Sequence, residues 1–162
     1  MVKPLELYTD VVRPEWIDYN GHMNVAYYVL AFDFATDALW DYLGLTDAYR
    51  DASGQSTFAA EEHVTYQREV KEGDPLRFSC QLVAWDKKRI HHFHRMYHAD
   101  EGYLAATIES MSLCVDLKSR RVTEFGTEIQ SKLAGLMAEH QFLPRPEQLG
   151  RVIQVKNPVL PS

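Results

Sequence analysis

The run Val25–Leu43 constrains this chain more than any other feature. Apolar and small residues recur at Val25, Tyr28, Val29, Phe32, Ala35, Thr36, Leu39, Trp40 and Leu43. That i, i+3, i+4, i+7 spacing is helical. The polar remainder is one narrow stripe, Asp33, Asp37 and Asp41. A helix with so wide an apolar arc cannot lie on a surface and has to be wrapped by other elements. Asn24 suits the N-cap and Gly44 the C′ stop of such a helix.

The rest of the chain supplies a wrapper. Residues 5–12 read as a short strand closed by Arg13-Pro14, since proline removes a ladder donor. Four further strand-like stretches follow the helix, at 57–70, 76–86, 89–98 and 103–117. Short polar turns join them, as expected for antiparallel hairpins. A second amphipathic helix is expected at about 124–140, with a Pro-containing tail over 141–162. With 162 residues, 46% of them hydrophobic, the chain suits a single core. The fold class expected is α+β: a single domain over 1–162, its core at about 5–118, in which a five-stranded antiparallel sheet wraps a long central helix.

Charge and termini exclude several roles. Seventeen basic against 23 acidic residues leave −6, which disfavours nucleic acid as a partner. Lys3, Glu6 and Asp10 interrupt the first ten residues, so no secretory h-region forms there and the expected location is the cytoplasm. The apolar run 25–32 stops at Asp33, far short of the roughly 20 residues a membrane-spanning helix requires. Cys80 and Cys114 sit apart among apolar neighbours and read as buried reduced thiols.

Polar groups cluster most densely just before the apolar helix, at Asp18-Tyr19-Asn20-Gly21-His22-Met23-Asn24. A helix start leaves backbone N–H groups unpaired and carries partial positive charge, so it can polarise a carbonyl. Asp18 beside it could serve as nucleophile or as base toward water. On residue types alone, the segment reads first as a turn with its cap. Glu62 falls on the strand face expected to carry Phe58, Ala60, Val64 and Tyr66, an unusual place for a carboxylate. His91, His92 and His94 are read as a polar sheet surface or subunit contact rather than a metal site, because no Cys or carboxylate ligands accompany them at fixed spacing. Lys87, Lys88 and Arg89 form the compact basic cluster, on a hairpin turn.

The run Asp18 to Asn24, followed by Tyr27-Tyr28 and the helix, resembles the signature of hotdog-fold acyl thioesterases of the hydroxybenzoyl-CoA type. The alternation Asp18, Asn20, His22 is also similar to the Asp-x-Asn-x-His run of plant acyl-carrier thioesterases. The resemblance implies the hotdog fold, with Asp18 as catalytic carboxylate and the Val25 backbone N–H as donor to the thioester carbonyl. It implies further that Asn20 and His22 orient the acid or the water. Two departures matter: Trp16 stands where many relatives carry an acidic residue, and Val25 replaces a frequent aromatic. Tyr66-Gln67-Arg68-Glu69-Val70 is similar to a Tyr-Arg-Arg-Glu-Cys run of the plant enzymes, with Val70 in place of their cysteine.

Residues 13–25 are most similar to the thioesterases of bacterial carnitine breakdown, which implies betainyl-CoA as substrate. A quaternary ammonium offers no N–H, so its pocket would use aromatic faces and a carboxylate. Trp16, Tyr19, Tyr27, Tyr28 and Tyr66 are the candidate rings, with Glu62 as the carboxylate and Lys87, Lys88 and Arg89 toward the phosphates of coenzyme A. No cofactor or metal is expected. The alternatives are a non-catalytic acyl-CoA sensing module on the same fold, or a thioesterase for another short or aromatic acyl-CoA. Long sheet edges, and the dimers of hotdog relatives, imply a homodimer or dimer of dimers.

Overall fold

The computed structural model describes residues 1–159; residues 160–162, the end of the expected tail, lie outside the described residues. The central helix, α1, spans Val25–Leu43. Asn24 caps it, its side chain accepting from the Ala26 N–H, and Gly44 closes it at φ +85°. That left-handed conformation is one glycine adopts without a Cβ penalty.

Six strands surround α1: β1 (Leu5–Val11), β2 (Gln55–Tyr66), β3 (Pro75–Trp85), β4 (Arg89–His98), β5 (Leu104–Asp116) and β6 (Arg121–Val122). They lie in the order β1-β3-β4-β5-β2, all antiparallel, with β6 paired to β5. This is the expected α+β hotdog arrangement, with β6 as a small addition to the five strands. A short helix, α2 (Asp47–Ser53), joins α1 to β2; the Thr46 hydroxyl caps it, accepting from the Tyr49 N–H. The final helix, α3 (Thr127–His140), begins three residues later than expected, after Gly126.

The buried face of α1 carries Tyr28, Ala31, Phe32, Ala35, Leu39 and Leu43. Its first half packs on Phe78, Met96, Ala106 and Ile108 of the sheet. Its second half packs on Cys80, Leu82, Ile90 and Cys114, and on Ile129, Leu133 and Leu136 of α3. Full burial of one such side chain contributes about 1.5–3 kcal/mol, so the wide apolar arc specifies where the helix lies. Burial raises the Cys114 thiol to about 11.

β2 ends at Tyr66, not at residue 70. Beyond it the Gln67 and Arg68 N–H groups share the Ala105 carbonyl. The Val70 N–H then meets the Tyr28 hydroxyl, while its carbonyl receives the Met23 N–H. This detour ties the segment 67–70 to the loop that precedes α1.

Candidate functional site

Backbone bonds hold the loop before α1 in one conformation. Ile17 bridges Met23, the Asp18 N–H donates to the His22 carbonyl, and the Gly21 N–H donates to the Asp18 carbonyl. Gly21 takes φ +78°, which closes the tight turn. The Asp18 carboxylate is thereby fixed beside the start of α1. Its Oδ1 accepts from the Asn20 backbone N–H at 2.8 Å and its Oδ2 from Asn24 Nδ2 at 3.3 Å. Asn24 has two tasks, since its Oδ1 caps the Ala26 N–H while its amide nitrogen holds Asp18. The residue-type reading found the cap and missed the second task, because the link depends on how the 18–24 turn closes.

Asn20 acts on Asp18 through its backbone. His22, expected to orient the acid or the water, turns away: its Nδ1 lies 3.2 Å from the Met23 carbonyl and its Nε2 3.9 Å from Glu69 Oε2. The Val25 N–H opens the helix, and no hydrogen bond from it forms among the described residues. The helix start and this free donor can accept a carbonyl oxygen in which negative charge develops, with a carboxylate alongside.

The candidate rings separate into three groups. Trp16 is only 2% exposed; it stacks on Tyr27 with centroids 5.9 Å apart, and the Arg13 guanidinium stands 4.7 Å from its centroid. Its faces are occupied, so it serves as a core wedge instead of an open cage wall. Tyr19, 95% exposed, projects into solvent. Tyr28 is buried, whereas Tyr66 is 48% exposed, edge-on to Tyr28 at 5.2 Å, with its hydroxyl donating to the Val25 carbonyl at 3.4 Å. Tyr66 therefore lies against the first turn of α1.

A β-bulge between Ala59 and Glu61 alters the face assignments on β2. Thr57 and Ala59 pair with Cys114 and Ser112; past the bulge, Glu62, Val64 and Tyr66 pair with Ser110, Ile108 and Ala106. Glu62 thus faces inward with Val64 and Tyr66, while Phe58 falls on the outer face, contrary to strict alternation, because the extra residue shifts the period by one. Burial pushes the Glu62 carboxyl above its ordinary range; the Ser110 hydroxyl, 3.3 Å away, works against this and Asp33 adds repulsion.

One further expectation is corrected. His92 and His94 are not on a polar surface: both are buried facing α1, with Nε2 atoms 3.2 Å from Ser112 Oγ and 3.4 Å from Thr36 Oγ1. Desolvation drives both pKa values down, to about 3 for His94. His91 takes the outer face and meets Glu109 at 2.9 Å. Lys87, Lys88 and Arg89 lie at the opposite end of the sheet from Asp18. The length of β4 separates them, about 30 Å for ten residues, and Arg89 is engaged by Asp86. Nearer the Asp18 loop the cations are Arg13, Arg68 and Lys71: Arg13 covers Trp16, Arg68 lies over Tyr103 at 3.9 Å, and Lys71 pairs with Glu69 at 3.8 Å. Among the described residues no three His, Cys, Asp or Glu side chains are placed to hold a metal ion, and no helix is long and apolar enough to cross a membrane.

Comparison with known proteins gives a consistent set of relatives. The model of the thioesterase-like superfamily matches residues 12–133. A betainyl-CoA thioesterase of Pseudomonas aeruginosa is 42% identical over 94% of this chain and 96% of its own length. An L-carnitine dehydrogenase/betainyl-CoA thioesterase of Rhizobium meliloti is 37% identical over 94% of this chain, which spans 31% of that longer protein. Among solved structures, a Staphylococcus aureus protein in complex with CoA aligns at TM-score 0.84 and 30% identity, covering 96% of this chain and 98% of its own. A Pseudomonas putida protein described as a thioesterase aligns at TM-score 0.84 and 36% identity, covering 97% of this chain and all of its own.

Proposed function

We propose, from the premise that this chain belongs to the thioesterase-like superfamily, that its substrate is betainyl-CoA and that Asp18 is the catalytic carboxylate. The chain is an acyl-CoA thioesterase with a hotdog fold. The observation that carries the catalytic assignment is the pairing of Asp18, held at both oxygens, with the unpaired Val25 N–H at the helix start. In this reading the thioester carbonyl binds at that N–H, where the positive end of α1 stabilises charge developing on its oxygen. Asp18 either attacks the carbonyl carbon to give a mixed anhydride that water cleaves, or takes a proton from the attacking water. In both routes the carbon–sulfur bond breaks and a thiolate leaves, which needs no strong acid because thiol pKa values lie near 8.5.

Betainyl-CoA carries its quaternary nitrogen one methylene from the thioester carbonyl. A carbonyl bound at Val25 puts that cation beside the half-exposed Tyr66, whose ring supplies the attraction an N–H-less cation requires. Tyr28 supports Tyr66 from behind. Arg13, Arg68 and Lys71 are the cations of the same chain placed to meet the phosphates of coenzyme A; Lys87, Lys88 and Arg89 could do so only from a second copy. A homodimer built on the free edge of β2, which pairs only with β5 among the described residues, would supply that copy and complete the site.

A thiol-release assay tests the assignment, comparing betainyl-CoA with the 3,3-dimethylbutyryl ester, an uncharged isostere. Betainyl-CoA is expected to be turned over preferentially, with the preference reduced in Tyr66→Leu. Asp18→Asn should lose about 10²–10⁴ in kcat while remaining folded. Equal kcat/KM for the two esters would refute the cation subsite, and wild-type turnover by folded Asp18→Asn would refute the catalytic role.

A further inference from the structure

After α3 the chain crosses to the outer face of the sheet and is anchored there. The Pro144 carbonyl accepts from Gln81 Nε2 at 3.2 Å, and the Gly150 N–H donates to Glu109 Oε2 at 2.7 Å. Leu149 is buried at this anchor. Past Gly150 the character of the chain changes. Val152 is 71% exposed, Ile153 89% and Val155 73%, a concentration of bare aliphatic side chains that a water-facing tail has no reason to carry. Residues 151–154 and Lys156 line a groove of about 420 Å³ with His63, Val64, Thr65 and Tyr66, at the Tyr66 end of the free β2 edge.

A second apolar surface lies at the other end of the same strand. Phe58, placed outward by the bulge, pairs across with Leu113; nearby, Val122 of β6 pairs with Val115 on the same outer face. Phe58 and Val122 are both exposed. Within one copy the tail lies away from this patch. The tail lies against residues 63–66 of β2, five to eight residues along the strand from Phe58, or about 17–26 Å. A two-fold axis through the middle of β2 reverses the strand, bringing the tail end of one copy beside the patch end of the other. It does so twice, as an isologous contact requires.

We propose that residues 151–159 form a reciprocal arm that clasps a second copy of this chain, seating Val152, Ile153 and Val155 on that copy's Phe58 and Val122. The arm rests on the pairing of β2 edges proposed above and adds to it a contact that β2 alone does not make. It also fixes the tail at the groove beside Tyr66, so that dimerisation and closure of that wall of the site occur together.

Sedimentation equilibrium over a concentration series tests this, on the full chain, on a chain ended at Gly150, and on Ile153→Asp. Among the described residues the only backbone bond from the removed segment is local, from the Arg151 N–H to the Gln148 carbonyl, so folding should survive its removal. The full chain is expected to dimerise, and both variants to dissociate at least about tenfold more readily. The double variant Ile153→Cys with Val122→Cys, mildly oxidised, should give a disulfide-linked dimer on a non-reducing gel. A dimer whose dissociation is unchanged in both variants, with no linked species from the double cysteine chain, overturns the arm and leaves the edge pairing standing. A full chain that is monomeric throughout overturns both.

Discussion

At the scale of single residues, Asn24 joins structure to chemistry. Its oxygen caps α1 and its nitrogen holds Asp18, so one substitution can separate the two tasks. Asn24→Asp keeps a good N-cap but replaces the donor toward Asp18 with a like charge. Thermal stability is expected to stay close to wild type while kcat falls about tenfold or more. Asn24→Ala should lose activity and also about 1 kcal/mol of stability. Equal kcat for Asn24→Asp and wild type would show that the 3.3 Å bond does not position the carboxylate. Asp18 itself was visible in the residue pattern, whereas its holder was not, because Asn24 is six residues away and reaches it only through the Gly21 turn.

At the scale of elements, β4 carries an unusual load. His92 and His94 lie under α1 as neutral rings, and each Nδ1 lacks a hydrogen-bond partner among the described residues. As pH falls below about 6.5, these histidines take up protons in the unfolded chain first, because burial keeps the native pKa values lower. The unfolded state then binds more protons than the native one, so stability falls with pH, by about 1.4 kcal/mol per unit for each histidine. Tm should therefore decrease steeply between pH 6.5 and 4 and be flat above 7. His94→Phe is expected to flatten the profile, and an unchanged acid slope in that variant would contradict the burial account. Period-2 alternation puts His92 and His94 on one strand face. It could not say which face was covered, since that depends on where α1 lies.

At the scale of the whole molecule, β2 leaves one edge of the sheet open beside the candidate site. If a second copy completes the CoA end of that site, specific activity depends on enzyme concentration. Dilution through the dimer dissociation range should lower turnover per protomer, and constant specific activity across that range would show that one copy suffices. The bulge at Ala59–Glu61 matters at this scale as well. By adding one residue to β2 it places Phe58 outward and Glu62 inward, giving the edge strand a different chemical character on each face.

The apolar arc of Val25–Leu43 determined that a helix would be wrapped, the hairpin turns determined an antiparallel wrapper, and the 18–24 run located the carboxylate at the helix start. Each of these depends on neighbours within a few positions, where period and turn chemistry act directly. Only the tertiary structure decided the direction of His22, the burial of His92 and His94, the inward face of Glu62 and the separation of Lys87–Arg89 from Asp18. These follow from register, a bulge and the path of α1 across the sheet, which join residues distant in sequence and leave no mark on local spacing.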